Sequence, residues 1–383
     1  MLSLARMEPF VVISHNGTLC SADAPHWPTV IFLVKWSSMM LRSLLRLSLV
    51  PGTALLLGAC DRVPEIELAQ GEAQGTQYHI KWWAEDAPDN EAILHDLQQV
   101  LDQIDQDLST YRDDSWISRF NESRDTDWQS APESVIHLLL IARQVHERSE
   151  GCYDPTISPL FTLWGFQNKD FRVPDDVQID AVLAHTGLDR LEIDEQGLRV
   201  RKQVPELSID LSSMGEGFSV DQMAAMLERH GIHNYLAELG GDMRIRGAKP
   251  DDAPWRVGIE SPTPGARRAG NIVTVLDHDG LSINTSGTYR RYFDNQGHIY
   301  SHIIDPRSGR PTSHDLVSAT VLGTEAALSD AWATTMLCLG RKAGLSIANQ
   351  YELPVYLIER HEDDTLDYAR SQTLEESRRF TLE

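Results

Sequence analysis

Between Asn90 and Leu108 the apolar residues Ile93, Leu97, Val100, Leu101, Ile104 and Leu108 return every three or four positions. That period puts them on one face of a helix and predicts an amphipathic element over the whole stretch. A second helix is predicted for Pro132–Glu150, stopped by Gly151. Ahead of both, Thr76–Trp83 alternates polar and apolar residues as a strand does. Residues 60–75 show no period and read as a tether. Asp154–Phe166, D-P-T-I-S-P-L-F-T-L-W-G-F, reads as a loop rich in proline and aromatic residues.

Further along, Leu191–Ile193 and Leu198–Arg201 flank Asp194–Gly197 as a hairpin. A strand at Leu207–Leu211, a helix from Gly215 to His230 and a strand at Tyr235–Leu239 follow. More strands are expected near Met243–Arg246, Trp255–Glu260, Ile272–Leu276, Ser282–Asn284, Ile299–Ile304 and Leu316–Leu322. Helices Thr324–Leu339 and Lys342–Tyr351 and a strand at Pro354–Ile358 come last. Runs of strands with helices interspersed predict an α+β fold rather than a regular βαβ alternation.

The 383 residues suffice for one large domain or two ordinary ones, and 41% hydrophobic with 24% charged content is that of a globular protein. A formal charge of -23 disfavours binding to nucleic acid or to an anionic membrane surface. An acidic chain that binds a phosphate ester needs backbone N–H groups or a cation at that spot.

Cys60 ends L-L-L-G-A-C, behind an apolar run from about Leu47 and behind Arg42 and Arg46. A positive region, a brief apolar core and small residues before a cysteine predict an exported signal segment over 39–59. L-G-A-C resembles the bacterial lipoprotein box, in which the cysteine is lipidated and becomes the new N-terminus. The alternative, a transmembrane anchor, is opposed by the run's brevity and by Arg46 and Pro51 within it. Asp61 resembles an inner-membrane retention signal. The expected location is therefore the periplasmic face of a bacterial inner membrane, through a lipid on Cys60. Because such signals begin at their charged region, translation is expected to start at Met39 or Met40, with residues 1–38 an over-extended start. No C-x-x-C pair or zinc spacing links the other cysteines, and Cys152 and Cys338 read as unpaired small residues.

Several segments concentrate reactive groups. Ile209–Asp221, I-D-L-S-S-M-G-E-G-F-S-V-D, runs from a predicted strand into a helix start. It is either a phosphate cradle of free N–H groups or an ordinary capped helix. L-G-G-D, Leu239–Asp242, is either a hairpin turn or a point of close ligand approach. Asn284–Arg291 clusters hydroxyls, a glycine and two arginines, as a binding loop or as a polar hairpin. Ser301–Pro311, S-H-I-I-D-P-R-S-G-R-P, crowds His302, Asp305, Arg307 and Arg310 around a turn. A lone histidine on an apolar strand is usually a core residue, but this charged company favours His302 as a general base or hydroxyl-positioning group.

Asp330 and Thr334 stand four residues apart on a predicted helix that Thr324 can cap and Gly340 can close. An aspartate inside so apolar a helix needs a partner. An arginine or a cap contact would serve. The sharper reading is a magnesium site made of hard oxygen ligands beside substrate phosphates.

In order and spacing these segments resemble the ApbE family, the FAD:protein FMN transferases. The motifs that carry the likeness are G-T-Q-Y-H-I (Gly75–Ile80), L-S-T-Y-R-D-D-S (Leu108–Ser115), G-C-Y-D-P-T (Gly151–Thr156) and L-W-G-F (Leu163–Phe166). I-D-L-S-S-M-G-E-G-F-S-V-D, L-G-G-D, S-G-T-Y-R (Ser286–Arg290), S-H-I-I-D-P-R-S-G-R-P and S-D-A-W-A-T (Ser329–Thr334) complete the set. Each is modest, and the ordered set is specific. The resemblance implies an α+β, T-fold-like arrangement of mixed sheets and helices around a central FAD cleft, formed by residues 76–383. It implies magnesium-assisted attack by a threonine hydroxyl of an acceptor protein on the FMN-side phosphorus of FAD. FMN is then joined to that threonine by a phosphodiester, and AMP leaves. The implied acceptors are flavin-carrying subunits of membrane redox complexes, such as sodium-pumping quinone reductases.

Carried over residue by residue, the resemblance assigns FAD contacts to Gln74, Tyr111, Cys152, Tyr153, Asp154, Asp210, Glu216 and Ile304. It assigns the metal to the Ser213 carbonyl, Asp330 and Thr334, and deprotonation of the incoming hydroxyl to His302 and Asp305. Two departures stand out. Many relatives carry Lys where this chain has Glu216, and some carry a second acidic residue where Ala333 stands. A glutamate there suits a hydroxyl or ring nitrogen better than a diphosphate. The same residues would also serve a magnesium-dependent FAD pyrophosphatase, with water as the nucleophile, or a non-enzymatic FAD-storing lipoprotein.

Overall fold

The computed structural model describes residues 12–13, 64–86, 89–262, 269–288, 292–295 and 298–383. The signal segment, Cys60 and Tyr289–Arg291 lie outside the described residues. No helix among the described residues is long and apolar enough to cross a membrane.

Its centre is a nine-stranded antiparallel sheet. The strand order is Val12–Ile13, Glu67–Ala73, Thr76–Trp83, Asn234–Leu239, Asp242–Arg246, Leu281–Gly287, Leu316–Gly323, Val355–Arg360 and Leu366–Arg370. The two faces are told apart by the period-2 alternation of apolar residues. Along the central strands Ala319, Val321, Val355 and Leu357 face the helices, while Leu322, Tyr356 and Ile358 face a second, three-stranded sheet. That smaller sheet is built from Arg256–Glu260, Ala269–Val275 and Phe380–Leu382.

The helices are α1 (Asn90–Leu108), α2 (Trp116–Glu122), α3 (Glu133–Arg148), α4 (Ser158–Trp164), α5 (Asp176–Leu183), α6 (Gly215–Arg229), α7 (Ala326–Gln350) and α8 (Gln372–Glu376). α6 and α7 lie on the main sheet, with α1 against α6 and α3 against α7. α1 has the bounds its periodicity predicts, and it buries Ile93, Leu97, Leu101 and Ile104. α6 and α7 approach closely because Gly217 has no side chain. A Cβ there would meet the carbonyl oxygen of Ala326 at 2.5 Å and Cβ of Asp330 at 2.9 Å.

Several sequence expectations need correction. The tether ends before Glu67, since Glu67–Ala73 is a full strand paired with Thr76–Trp83. Its inward positions hold only Ala69, Gly71 and Ala73, too small to print a hydrophobic period. Gly71 makes room for the ring of Tyr78 opposite it. Leu207, Ile209 and Leu211 are buried, but the segment joins no sheet. The side-chain amide of Asn121 takes the place of a strand neighbour there: it accepts from Ile209 N and donates to Ile209 O, both at 2.8 Å. Within the predicted loop 154–166, Ser158–Trp164 forms α4, with Pro159 in its first turn, where the missing N–H does no harm. The two helices predicted for 324–351, by contrast, are both present: α7 consists of two helical stretches meeting at a kink at Gly340, whose φ is 71°. Thr324 does not cap α7; Asp221 on α6 does, accepting from the amides of Ala326 and Ala327.

Candidate active site

A cavity of about 670 Å³ opens where the loop after α3, the segment entering α6, the turn at 302–306 and the site half of α7 converge. Tyr111, Cys152, Tyr153, Asp154, Asp210, Ser213, His302, Ile304 and Thr334 all line it. Gln74, Glu216, Asp305 and Asp330 stand behind this wall or beside it.

Each wall residue has a local cause. Gly151 turns the chain out of α3 in the left-handed region, with φ 82°. The next residues are then pinned: Cys152 N donates to Ser149 O at 3.2 Å and Tyr153 N to Ser149 Oγ at 3.2 Å. Asp154 organises its own loop, since Oδ1 accepts from Thr156 N and Oγ1 and Oδ2 from Leu188 N. Tyr153 is buried and its Oη lies 2.8 Å from Ser213 Oγ, so the loop after α3 is tied to the turn before α6. Burial pushes the Tyr153 phenol far above its ordinary range, so it stays a neutral hydroxyl. Tyr111 is the opposite case: at 96% exposure its ring packs against little and presents a bare face at the cavity rim.

Behind the wall lies a knot of acids. Asp330 is buried on α7, and its Oδ2 accepts from Gly217 N at 3.2 Å. Burial, then the charges of Asp242 and Glu216, push the Asp330 carboxyl well above the ordinary carboxylate range. Asp242 is pushed up to about 7, again by burial first and by Glu216 second, and it takes a hydrogen bond from Asp330. Thr334, one turn on from Asp330, lies 3.0 Å from Ser286 Oγ and reaches the cavity. A divalent cation fits this donor set: carboxylates and a hydroxyl are hard ligands, and the crowded negative charge that otherwise retains protons is what a cation offsets. Ala333 is buried and offers no ligand atom. Asp242, from the neighbouring strand, brings the further acid.

The structure separates the two candidate bases. His302 lines the cavity, whereas Asp305 is engaged by Arg307, whose Nε and Nη2 each donate to it at 2.8 Å. L-G-G-D is a hairpin turn, with Gly240 and Gly241 at φ 63° and 113°, and the carboxyl of Glu216 occupies the space a Gly240 side chain would need. Glu216 therefore belongs to the acid knot rather than to the cavity wall. Gln74 donates to Ser219 Oγ at 2.6 Å and stands next to the start of α6.

Cys152 and Cys338 are not unpaired. They form a disulfide, with Cα atoms 5.9 Å apart across 186 residues of chain. The sequence carries no local spacing that would announce it. An Asp305 oxygen lies within 4.8 Å of both sulfurs, but sulfurs joined to each other are not thiolate ligands, so this trio is no metal site. The wall also includes Phe161 and Phe166, from the segment expected to be a loop, and Lys169 and Phe171 just beyond it, none of which the sequence singles out as site residues. Asp242 sat in a motif singled out from the sequence, yet only its position beside Asp330 reveals its role.

Fold and cleft define an α+β domain with one large cavity backed by buried acids and faced with tyrosines, a histidine and hydroxyls. The model of the ApbE family matches residues 74–357, and the chain belongs to that family. It is 35% identical over 320 residues to the FAD:protein FMN transferase of Vibrio cholerae, spanning 83% of this chain and 94% of that protein. It is 36% identical over 316 residues to the Salmonella typhimurium protein of the same name, spanning 80% and 89%. Among solved structures, apo flavinyl transferase ApbE of Pseudomonas stutzeri superposes with a TM-score of 0.74 at 33% identity, covering 82% of this chain and 96% of that one. Flavin transferase ApbE of Vibrio cholerae gives 0.73 at 32%, covering 82% and 99%.

Proposed function

We propose that the protein transfers FMN from FAD to a threonine hydroxyl of an acceptor redox protein, with magnesium as its resident cation. By family it is a flavin transferase. The observation that carries the finer reading is that His302 and Thr334 share one cavity wall with Tyr153 and Asp210, while Asp330 stands a helical turn behind Thr334.

Asp330, Thr334 and the Ser213 carbonyl would hold the magnesium, with Asp242 orienting Asp330. When bound, the cation offsets the charge of the diphosphate and of the leaving AMP. The exposed face of Tyr111 stacks on a ring of FAD, and Tyr153 and Asp154 shape the wall against which it rests. The acceptor threonine gives its proton to His302 as its oxygen attacks the FMN-side phosphorus. The bond from that phosphorus to the bridging oxygen breaks, AMP leaves, and a phosphodiester joins FMN to the threonine. Asp305, neutralised by Arg307, fixes the turn that aims His302 rather than taking the proton itself.

The L-G-A-C box supports a lipid anchor on Cys60 at the periplasmic face of the inner membrane. A disulfide between Cys152 and Cys338 suits such an oxidising compartment. Flavin-carrying subunits of membrane redox complexes are the acceptors that location offers. The deciding experiment incubates purified protein with FAD, magnesium and candidate acceptor subunits, then looks for flavin fluorescence on a denaturing gel and maps the modified threonine by mass spectrometry. AMP and free FMN without labelled acceptor would make the protein a pyrophosphatase. FAD bound and returned unchanged would make it a store.

A further inference from the structure

We propose that the Cys152–Cys338 disulfide is a positioning clamp for flavin transfer, holding the loop of Tyr153 and Asp154 in register with the helix of Asp330 and Thr334. The inference rests on the transferase reading above and assigns that site a covalent support.

Cys152 immediately precedes Tyr153 and Asp154, and Cys338 lies one helical turn beyond Thr334, on the same face of α7. Both cysteines line the cavity. The bond thus spans the seam between the wall that meets the flavin and the helix that meets the cation. On one side of the seam the loop is otherwise held by hydrogen bonds alone, to Ser149, His146, Ser213 and Leu188. On the other side, α7 breaks at Gly340, two residues past Cys338. Cys338 therefore sits in the last turn of the site half, where a helix end frays unless something holds it. Transfer in line demands that phosphorus and incoming oxygen be placed to a fraction of an ångström, and a shift of ~1 Å costs on the order of a hundredfold in rate. A covalent tie at this seam supplies that placement. A dithiol reaching the cavity would open it: the reductant forms its own disulfide, giving two electrons and two protons to leave Cys152 and Cys338 as thiols.

The test uses the full chain, oxidised or treated with dithiothreitol under native conditions, with thiols counted, alongside C338A. FAD fluorescence gives affinity with and without magnesium; transfer assays give kcat and KM separately; near-UV circular dichroism and thermal melts follow the fold. The clamp predicts that reduction lowers kcat roughly ten- to a hundredfold. It also predicts weaker mutual reinforcement of FAD and magnesium binding, with both effects reversed on reoxidation. C338A should match the reduced wild type and ignore the reductant. Unchanged kcat and unchanged reinforcement after reduction, with only a lower melting temperature, would make the bond a plain stabiliser and overturn the proposal. So would loss of near-UV signal on reduction, because the whole fold, not the seam, would then depend on it. Should the oxidised wild type label no acceptor, the transferase reading fails, while reductant-sensitive coupling between FAD and magnesium still decides the clamp.

Discussion

Asp221 on α6 caps α7: its Oδ2 accepts from Ala326 N at 2.7 Å and from Ala327 N at 3.0 Å. The helix that bears Asp330 and Thr334 thus begins on a side chain borrowed from its neighbour, with Arg244 3.5 Å from the same carboxyl. Burial pushes Asp221 up to about 6. A carboxyl raised in the fold contributes stability below its unfolded value, near 4, and loses it as pH rises through about 6. Asp221→Asn keeps the cap and removes that loss, so it should flatten the stability profile between those values. Asp221→Ala should cost about 1 kcal/mol at low pH through the lost cap. Chemical denaturation at several pH values reads both.

Asp330→Asn should stabilise the metal-free protein at neutral pH while abolishing flavin transfer. It relieves a buried acid crowded by Asp242 and Glu216, yet it removes the carboxylate proposed to hold the cation. Thermal melts with and without magnesium, beside gel fluorescence, check this. A melting temperature that falls in the absence of metal would refute it.

Magnesium affinity should strengthen as pH rises through neutrality, because the proton shared by Asp330 and Asp242 must leave before the cation enters. Calorimetry in two buffers of different ionisation enthalpy should register protons released on binding.

His302→Ala should lower kcat by about a hundredfold or more, the usual worth of a positioned general base, with FAD affinity nearly kept. A rate unchanged at neutral pH would remove His302 from the mechanism.

Gly240→Ala should cost about 1 kcal/mol or more. The backbone there sits at φ 63°, and the new methyl would displace the Glu216 carboxyl from its place beside the acid knot. Denaturant titration measures the cost. A shift in magnesium affinity would follow the displaced glutamate.

Legibility in the sequence followed the kind of interaction that shapes each element. α1 and the strand Thr76–Trp83 were readable to the residue because large apolar side chains recur along them. Glu67–Ala73 was not, because its one buried residue is Ala69 and the same face continues through Gly71 and Ala73, all too small to print a period. The five residues from Leu207 read like a strand in sequence, but they join no sheet, and the amide of Asn121, 88 positions from Ile209, meets them instead. At the site, the segments were readable from order and spacing, and most of the residues they contributed do meet at one cavity. What stayed hidden depends on tertiary proximity: Asp242 beside Asp330, and two cysteines with no local motif between them.

Asn121 has a further bearing on how this cleft can change. Because one carboxamide stands in for a ladder of main-chain bonds, the floor that carries Asp210 is held by that side chain and by one bond from Asp210 N to Pro155 O at 2.7 Å instead of being woven into a sheet. A lineage exchanging that residue would reshape the pocket base without unpicking any strand, which makes position 121 a natural lever for retuning what the cleft holds.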